Sequence, residues 1–231
     1  MTYRDLLFDI DDTLLDFRAA EESSLQGLFS QLQIDLTPVI RERYAAINRQ
    51  LWEQFERQEI TREMIFERRF PQLFEEFQLA GPQDGLTAEQ RYREGLNQGY
   101  VQIQHAQELL TRLQASHQFN LYIVSNGVAK TQRLRLEASG LAPFFTKVFV
   151  SEAVGHQKPA IEFFDAVQKG IDHFLPEQAL IIGDSLTSDI QGGLNAGIPT
   201  VWFNPQHQAA NLIQPTYEID NLLHLLPIVM A

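Results

Sequence analysis

Five short apolar or β-branched runs constrain this chain more than anything else in it: residues 6–10 (LLFDI), 120–124 (NLYIV), 147–150 (KVFV), 179–182 (ALII) and 200–203 (TVWF). Each is too short for a helix. Each is also close to continuously apolar, where a strand with one wet face would alternate. The last four are separated by stretches with helical spacing, so the pattern predicts strands buried on both faces of a parallel sheet, an α/β doubly wound architecture. The first run also poses a problem. In LLFDIDDTLLDF, residues 6–17, Asp9, Asp11 and Asp12 put three mutually repelling carboxylates within four positions beside apolar residues.

Between the first and second runs, residues 17–100 carry no strand signal. Leu25, Leu28, Phe29 and Leu32 form one helical stripe, Tyr44, Ile47, Leu51 and Phe55 another, and Ile65, Phe66, Phe70, Leu73, Phe74 and Phe77 a third. Pro38, Pro71 and AGPQDG at 80–85 read as punctuation, and Thr61 with Glu63 and Met64 as a capped helix start. The expectation is a core domain of residues 1–16 and 101–231, with a helical bundle of residues 17–100 inserted after the first strand.

Composition narrows the function. A formal charge of −12 and a pI near 4.9 disfavour nucleic-acid polymers and anionic membranes, which are met by basic surfaces. With no cysteine, disulfides and thiolate metal sites are excluded. No signal-peptide pattern and no run of about 18 apolar residues is present, so a cytoplasmic location is expected.

In a doubly wound sheet, ligands gather at the carboxyl ends of the strands. There the sequence sets Asp9 and Asp11 after the first run, Ser125, Asn126 and Gly127 after the second, and Gly183, Asp184 and Ser185 after the fourth, with Asp189 a turn later. Lys158, in GHQKPAIEFF, follows the third. Taken singly, such residues are as often turn formers or helix caps. Ser188 to Gln191 even spells a capping box, which would make Asp189 a carboxylate at a helix start. Their joint occurrence at one sheet edge favours chemistry. Crowded carboxylates with no histidine or thiolate among them suit magnesium. Magnesium attracts phosphate, and Ser125, the backbone amides around Asn126 and Gly127, and Lys158 can hold phosphoryl oxygens. One aspartate can then attack phosphorus while another shuttles the proton.

DIDDT at 9–13, SNG at 125–127, KP at 158–159 and GDSLTSD at 183–189 resemble, in order, the four motifs of the haloacid dehalogenase-like (HAD) hydrolases. That resemblance implies a Rossmann-like core with an all-α cap that shields the site. It makes Asp9 the nucleophile and Asp11 the acid that protonates the leaving oxygen and then activates water. It gives magnesium Asp9, the main-chain carbonyl of Asp11, and Asp184 as ligands. Asp189 would support the metal or fix Lys158, Ser125 and Lys158 would bind phosphate, and Thr13 would orient the loop. Asp12 fills the motif's variable position. The stretches AINRQLWEQFERQEIT (46–61), SEAVGHQKP and GDSLTSDIQGGLNAGIPTVWFN look like the pyrimidine 5'-nucleotidase branch, which implies a small phosphorylated metabolite, a nucleoside monophosphate, as substrate, and a monomer or homodimer. The chain departs from common family spelling at Ala160 and at Gln104-His105, where Pro-Gly is usual. Trp52 and Phe55 are candidates for stacking on a base, although aromatics at helical spacing are more often core.

Rival readings separate on particular residues. A dehalogenase of the same superfamily has no need of Asp11, and a phosphonate hydrolase needs a cap lysine, whereas the lysines here are 130, 147, 158 and 169. Sugar-phosphate and phosphoglycolate phosphatases share the motifs. A signalling receiver domain carries its acceptor after the third strand, which here ends at Ser151, and a catalytically dead binding protein would not need Asp9, Asp11, Asp184 and Lys158 together.

Overall fold

The computed structural model describes residues 3–80, 85–210 and 212–230. Strands β1 (Asp5–Phe8), β2 (Asn120–Ser125), β3 (Lys147–Val150), β4 (Ala179–Gly183), β5 (Thr200–Phe203) and β6 (Tyr217–Ile219) form one sheet in the order β3-β2-β1-β4-β5-β6. All its pairings are parallel. The five apolar runs are all strands of this sheet. The sixth strand was missed because Tyr217–Ile219 is a three-residue edge with Glu218 at its centre, which leaves no run to see.

The chain clusters into two compact units, Met1–Phe17 with Tyr100–Ala231, and Arg18–Gly99. The second contains α1 (Phe17–Leu32, apart from its first residue), α2 (Pro38–Glu56), α3 (Arg62–Glu76) and α4 (Gly85–Leu96). The first contains the sheet with α5 (Ala106–Ser116), α6 (Ala129–Ala138), α7 (Ser151–Val154), α8 (Ile161–Lys169), α9 (Gln191–Ala196) and α10 (Leu225–Val229).

β1 shows why its run is apolar throughout. Leu6 and Phe8 pack on one face with Ile123, Ile182 and the α5 leucines 109, 110 and 113, while Leu7 packs on the other with Val124, Ile181 and Phe163 of α8. Alternation sends side chains to both faces, and both are covered. Each such fully buried side chain contributes about 1.5–3 kcal/mol.

In the helical unit, the expected stripes supply the interior: Leu25, Leu28, Phe29, Tyr44, Ile47, Leu51, Ile65, Phe70 and Leu73 are buried. Thr37 caps α2 ahead of Pro38, and the Thr61 hydroxyl accepts from Met64 N at 3.4 Å as α3 begins. Pro71 does not break the chain as expected; it lies inside α3. A proline there leaves the Glu67 carbonyl without its helical donor. Gly85 packs against that carbonyl, so close that an added Cβ would stand 2.6 Å from it. Residues 81–84 of AGPQDG lie outside the described residues. His105, where the resemblance has glycine, opens α5 at φ 69, the left-handed region glycine occupies without cost.

Candidate active site at the carboxyl edge of the sheet

Strand order reverses at β1, flanked by β2 and β4, which is where a doubly wound sheet opens a crevice at its carboxyl edge. Asp9 stands one residue past β1, its amide donating to the Ile182 carbonyl at 2.9 Å, so the sheet ladder itself fixes the backbone that carries it. Its side chain is buried.

Lys158 reaches Asp9 from the other side of the crevice. Its Nζ donates to Asp9 Oδ1 at 2.7 Å, to Asp189 Oδ1 at 2.5 Å and to the Val124 carbonyl at 2.8 Å, which uses all three ammonium protons. Asn126 holds the lysine's backbone in place: Asn126 Nδ2 donates to the Lys158 carbonyl at 2.9 Å, and Lys158 N donates to Asn126 Oδ1 at 2.8 Å. That occupies the Asn126 carboxamide at both ends. Its backbone amide takes no part in these two bonds.

Asp189 sits in a π-helical turn, Leu186–Ile190, that follows β4. The capping box expected from Ser188 is displaced: Ser185 is the cap, accepting from Ser188 N at 3.2 Å. Asp189 is thus freed from a helix-start role and instead grips Lys158 with Oδ1 and accepts from Ser185 N with Oδ2 at 3.1 Å. Gly183 makes room for it, since a Cβ on residue 183 would collide with the Asp189 carboxylate. Thr13 is fully buried, with its hydroxyl 3.4 Å from Asp184 Oδ1.

The carboxylates of Asp9, Asp184 and Asp189 each bring an oxygen to within 4.8 Å of the others. Burial pushes the Asp9 carboxyl up to about 8, with Lys158 pulling it down and Asp189 and Asp11 pushing it further up. Burial likewise raises Asp184 well above the usual range, reinforced by Asp9 and Asp189. Burial alone would lower the Lys158 ammonium, but Asp189 and Asp9 overcome it and the net direction is upward. One ammonium among three carboxylates leaves negative charge in excess, and an all-oxygen donor set of this kind fits a hard divalent cation such as magnesium.

Asp11 faces elsewhere. Its carboxylate is not part of that trio but is held by α6: Gln132 Nε2 donates to Asp11 Oδ2 at 2.6 Å, and Arg135 Nη1 pairs with Oδ1. Gln132 Nε2 also donates to Ser125 Oγ at 2.9 Å, and Gly127 N donates to the same hydroxyl at 3.1 Å. Asp12 adopts φ 56, and its Oδ1 accepts from Phe17 N at 3.0 Å, so it shapes the turn leaving the sheet. Phe55 is buried in the helical unit with the Arg62 guanidinium over its ring at 5.1 Å, which withdraws it as a stacking surface; Trp52 is half-buried, edge-on to Phe55.

The model of the haloacid dehalogenase-like hydrolase family matches residues 6–203. The chain belongs to the haloacid dehalogenase-like hydrolases. This hydrolase resembles the crystal structure of YfnB from Bacillus subtilis bound to magnesium, with 46% identity, a TM-score of 0.94 and 100% of both chains covered. It is 40% identical over 227 residues to the pyrimidine 5'-nucleotidase PynA of Streptococcus pneumoniae, covering 98% of this chain and 94% of that one. To the pyrimidine 5'-nucleotidase YjjG of Escherichia coli it is 28% identical over 221 residues, covering 95% of each. No described helix is long and apolar enough to cross a membrane.

Sequence reading of this hydrolase missed Gln132 and Arg135. They are polar residues three apart on a helix, a pattern that normally marks a solvated face. The one local signal was that both follow SNG within a turn or two.

Proposed function

We propose that this hydrolase is a magnesium-dependent phosphomonoesterase that works through an aspartyl phosphate and acts on nucleoside 5'-monophosphates, with pyrimidines preferred. The observation that carries the mechanism is the buried Asp9 carboxylate bonded to Lys158 at the sheet edge, within reach of Asp184 and Asp189. The nucleotide class is supported by the two pyrimidine 5'-nucleotidases that align with nearly the whole chain.

Magnesium, which Asp9, the Asp11 carbonyl and Asp184 would hold with Asp189 in support, would supply positive charge to offset that of the phosphoryl group. The rest falls to the chain's own groups. Asp9 must be ionised to attack; burial raises its carboxyl to about 8, and Lys158, joined by a bound cation, works against that rise. An Asp9 oxygen bonds to phosphorus as the ester P–O bond breaks, and the departing oxygen takes the bond's electron pair and a proton from Asp11. Asp11, now a carboxylate, removes a proton from water as the water oxygen attacks phosphorus. The Asp9–phosphorus bond breaks, inorganic phosphate leaves, and both aspartates return to their starting states. The Ser125 hydroxyl, held by the Gly127 amide, and the Asn126 amide would bind phosphoryl oxygens.

A panel of dUMP, UMP, dTMP and sugar phosphates, assayed with magnesium and with chelator, tests this. Turnover of the nucleotides that vanishes with chelator and in Asp9→Asn is expected. Turnover that survives either change overturns the mechanism, and cleavage of sugar phosphates without nucleotides overturns the substrate class.

A further inference from the structure

We propose that Gln132 and Arg135 are positioning residues that aim Asp11 at the leaving-group oxygen, an inference that rests on the phosphatase reading above. Both oxygens of the Asp11 carboxylate are engaged, one by each residue, across 121 and 124 positions of sequence. Arg135 is fully buried, and Gln132 is 1% exposed, so the pair is set by packing and not by solvent. Gln132 Oε1 accepts from Arg135 Nη1 at 3.2 Å, which couples the two donors, and the ring of Phe17 lies 5.5 Å from the Arg135 guanidinium carbon.

The clamp extends to the phosphate side. The same Gln132 nitrogen that bonds Asp11 bonds Ser125 Oγ, so one amide sets the spacing between the acid and a hydroxyl proposed to touch the phosphoryl group. Room for it depends on residue 127 being glycine, because a Cβ there would overlap the Gln132 amide. A two-point grip fixes carboxylate rotation as a single bond cannot, and a proton donor displaced by an ångström loses much of its effect.

Positioning of an acid predicts a dependence on the leaving group. Expelling the 5'-oxygen of dUMP needs a proton, whereas p-nitrophenolate leaves without one. Gln132→Met removes only the amide, and Arg135→Lys keeps the charge but not the guanidinium nitrogen that reaches both Asp11 and Gln132. Expected in each is a fall in kcat/KM about fivefold or more greater with dUMP than with p-nitrophenyl phosphate; Gln132→Met, which also releases Ser125, lowers both esters somewhat, whereas Arg135→Lys lowers the second by under about threefold. Equal losses on both esters, or none on either, overturn the inference. Thermal unfolding monitors the fold, and if Arg135→Lys does not fold, Gln132→Met decides alone. A wild type that turns over neither ester overturns the phosphatase reading and this inference with it; a wild type active on both, with an unchanged ratio in the variants, overturns this inference alone.

Discussion

The chain buries two ionic clusters, one in each unit, and they differ in stoichiometry. At the sheet edge Lys158 stands alone among Asp9, Asp184 and Asp189. In the helical unit Arg69 donates to Glu89 through Nε and Nη2 at 2.8 and 2.5 Å and to Asn48 Oδ1 at 3.0 Å, and Arg93 Nη2 closes on the other Glu89 oxygen at 2.7 Å. Asn48 passes a bond on to Glu21 at 2.9 Å, and the Tyr92 ring lies under Arg69 at 4.5 Å. There, donors and acceptors match. A balanced buried cluster specifies packing, whereas one with surplus charge of one sign needs a further partner, and that need is what makes it a site.

The largest test of this contrast removes each cation in turn. Lys158→Met should lower turnover about 10³-fold or more. Arg69→Met should cost about 2–3 kcal/mol of stability by leaving one Glu89 oxygen and the Asn48 carbonyl without donors while Arg93 still pairs with Glu89, and the folded fraction keeps kcat within about threefold. Denaturant melts with active-site titration read both, and a kcat collapse in Arg69→Met would erase the distinction.

Magnesium should act on one cluster only. At about 100 times its Kd it should stabilise the wild type by about 2.7 kcal/mol, with the gain kept in Arg69→Met and lost in Asp184→Asn. Calorimetry at matched ionic strength checks this; an equal gain in Asp184→Asn would mean that the cation binds elsewhere.

Alkali should reach the helical cluster through its phenols. Burial raises the Tyr44 and Tyr92 phenols above their ordinary value. The folded state therefore holds protons that the unfolded chain gives up near pH 10, and stability present below that pH falls as pH rises through the folded values, by about 1.4 kcal/mol per pH unit for each phenol. Tyr44→Phe should flatten the slope between pH 10 and 11.5.

The smallest effect separates charge from shape at Asp12. Asp12→Asn keeps the left-handed turn and the acceptor for Phe17 N, so stability should change by under about 0.5 kcal/mol. Asp12→Ala should cost about 1–2 kcal/mol, and Asp11→Ala should cost about 100-fold in turnover, an effect neither Asp12 variant should approach.

What the sequence disclosed divides along physical lines. Strands buried on both faces have a local signature, so all five runs and the acidic residues at their ends were legible before any fold was known. β6 was not, because three residues with a central glutamate bury too little to leave a pattern. Gln132 and Arg135 were not, because their partner Asp11 is more than a hundred positions away and only the return of α6 onto the β1 edge joins them. Asp12 looked dispensable by motif; its backbone conformation gives it a task that composition does not reveal.

The saturated hydrogen bonding of Lys158 has a consequence for binding. With every ammonium proton committed to Asp9, Asp189 or Val124, a phosphoryl oxygen, on the phosphatase reading proposed above, would reach this lysine only by displacing one of them. Ligand capture at Lys158 is therefore an exchange reaction, nearly neutral in hydrogen bonds made and lost. An exchange of that kind would add little net affinity, so under the proposed reaction Lys158 would not hold inorganic phosphate back.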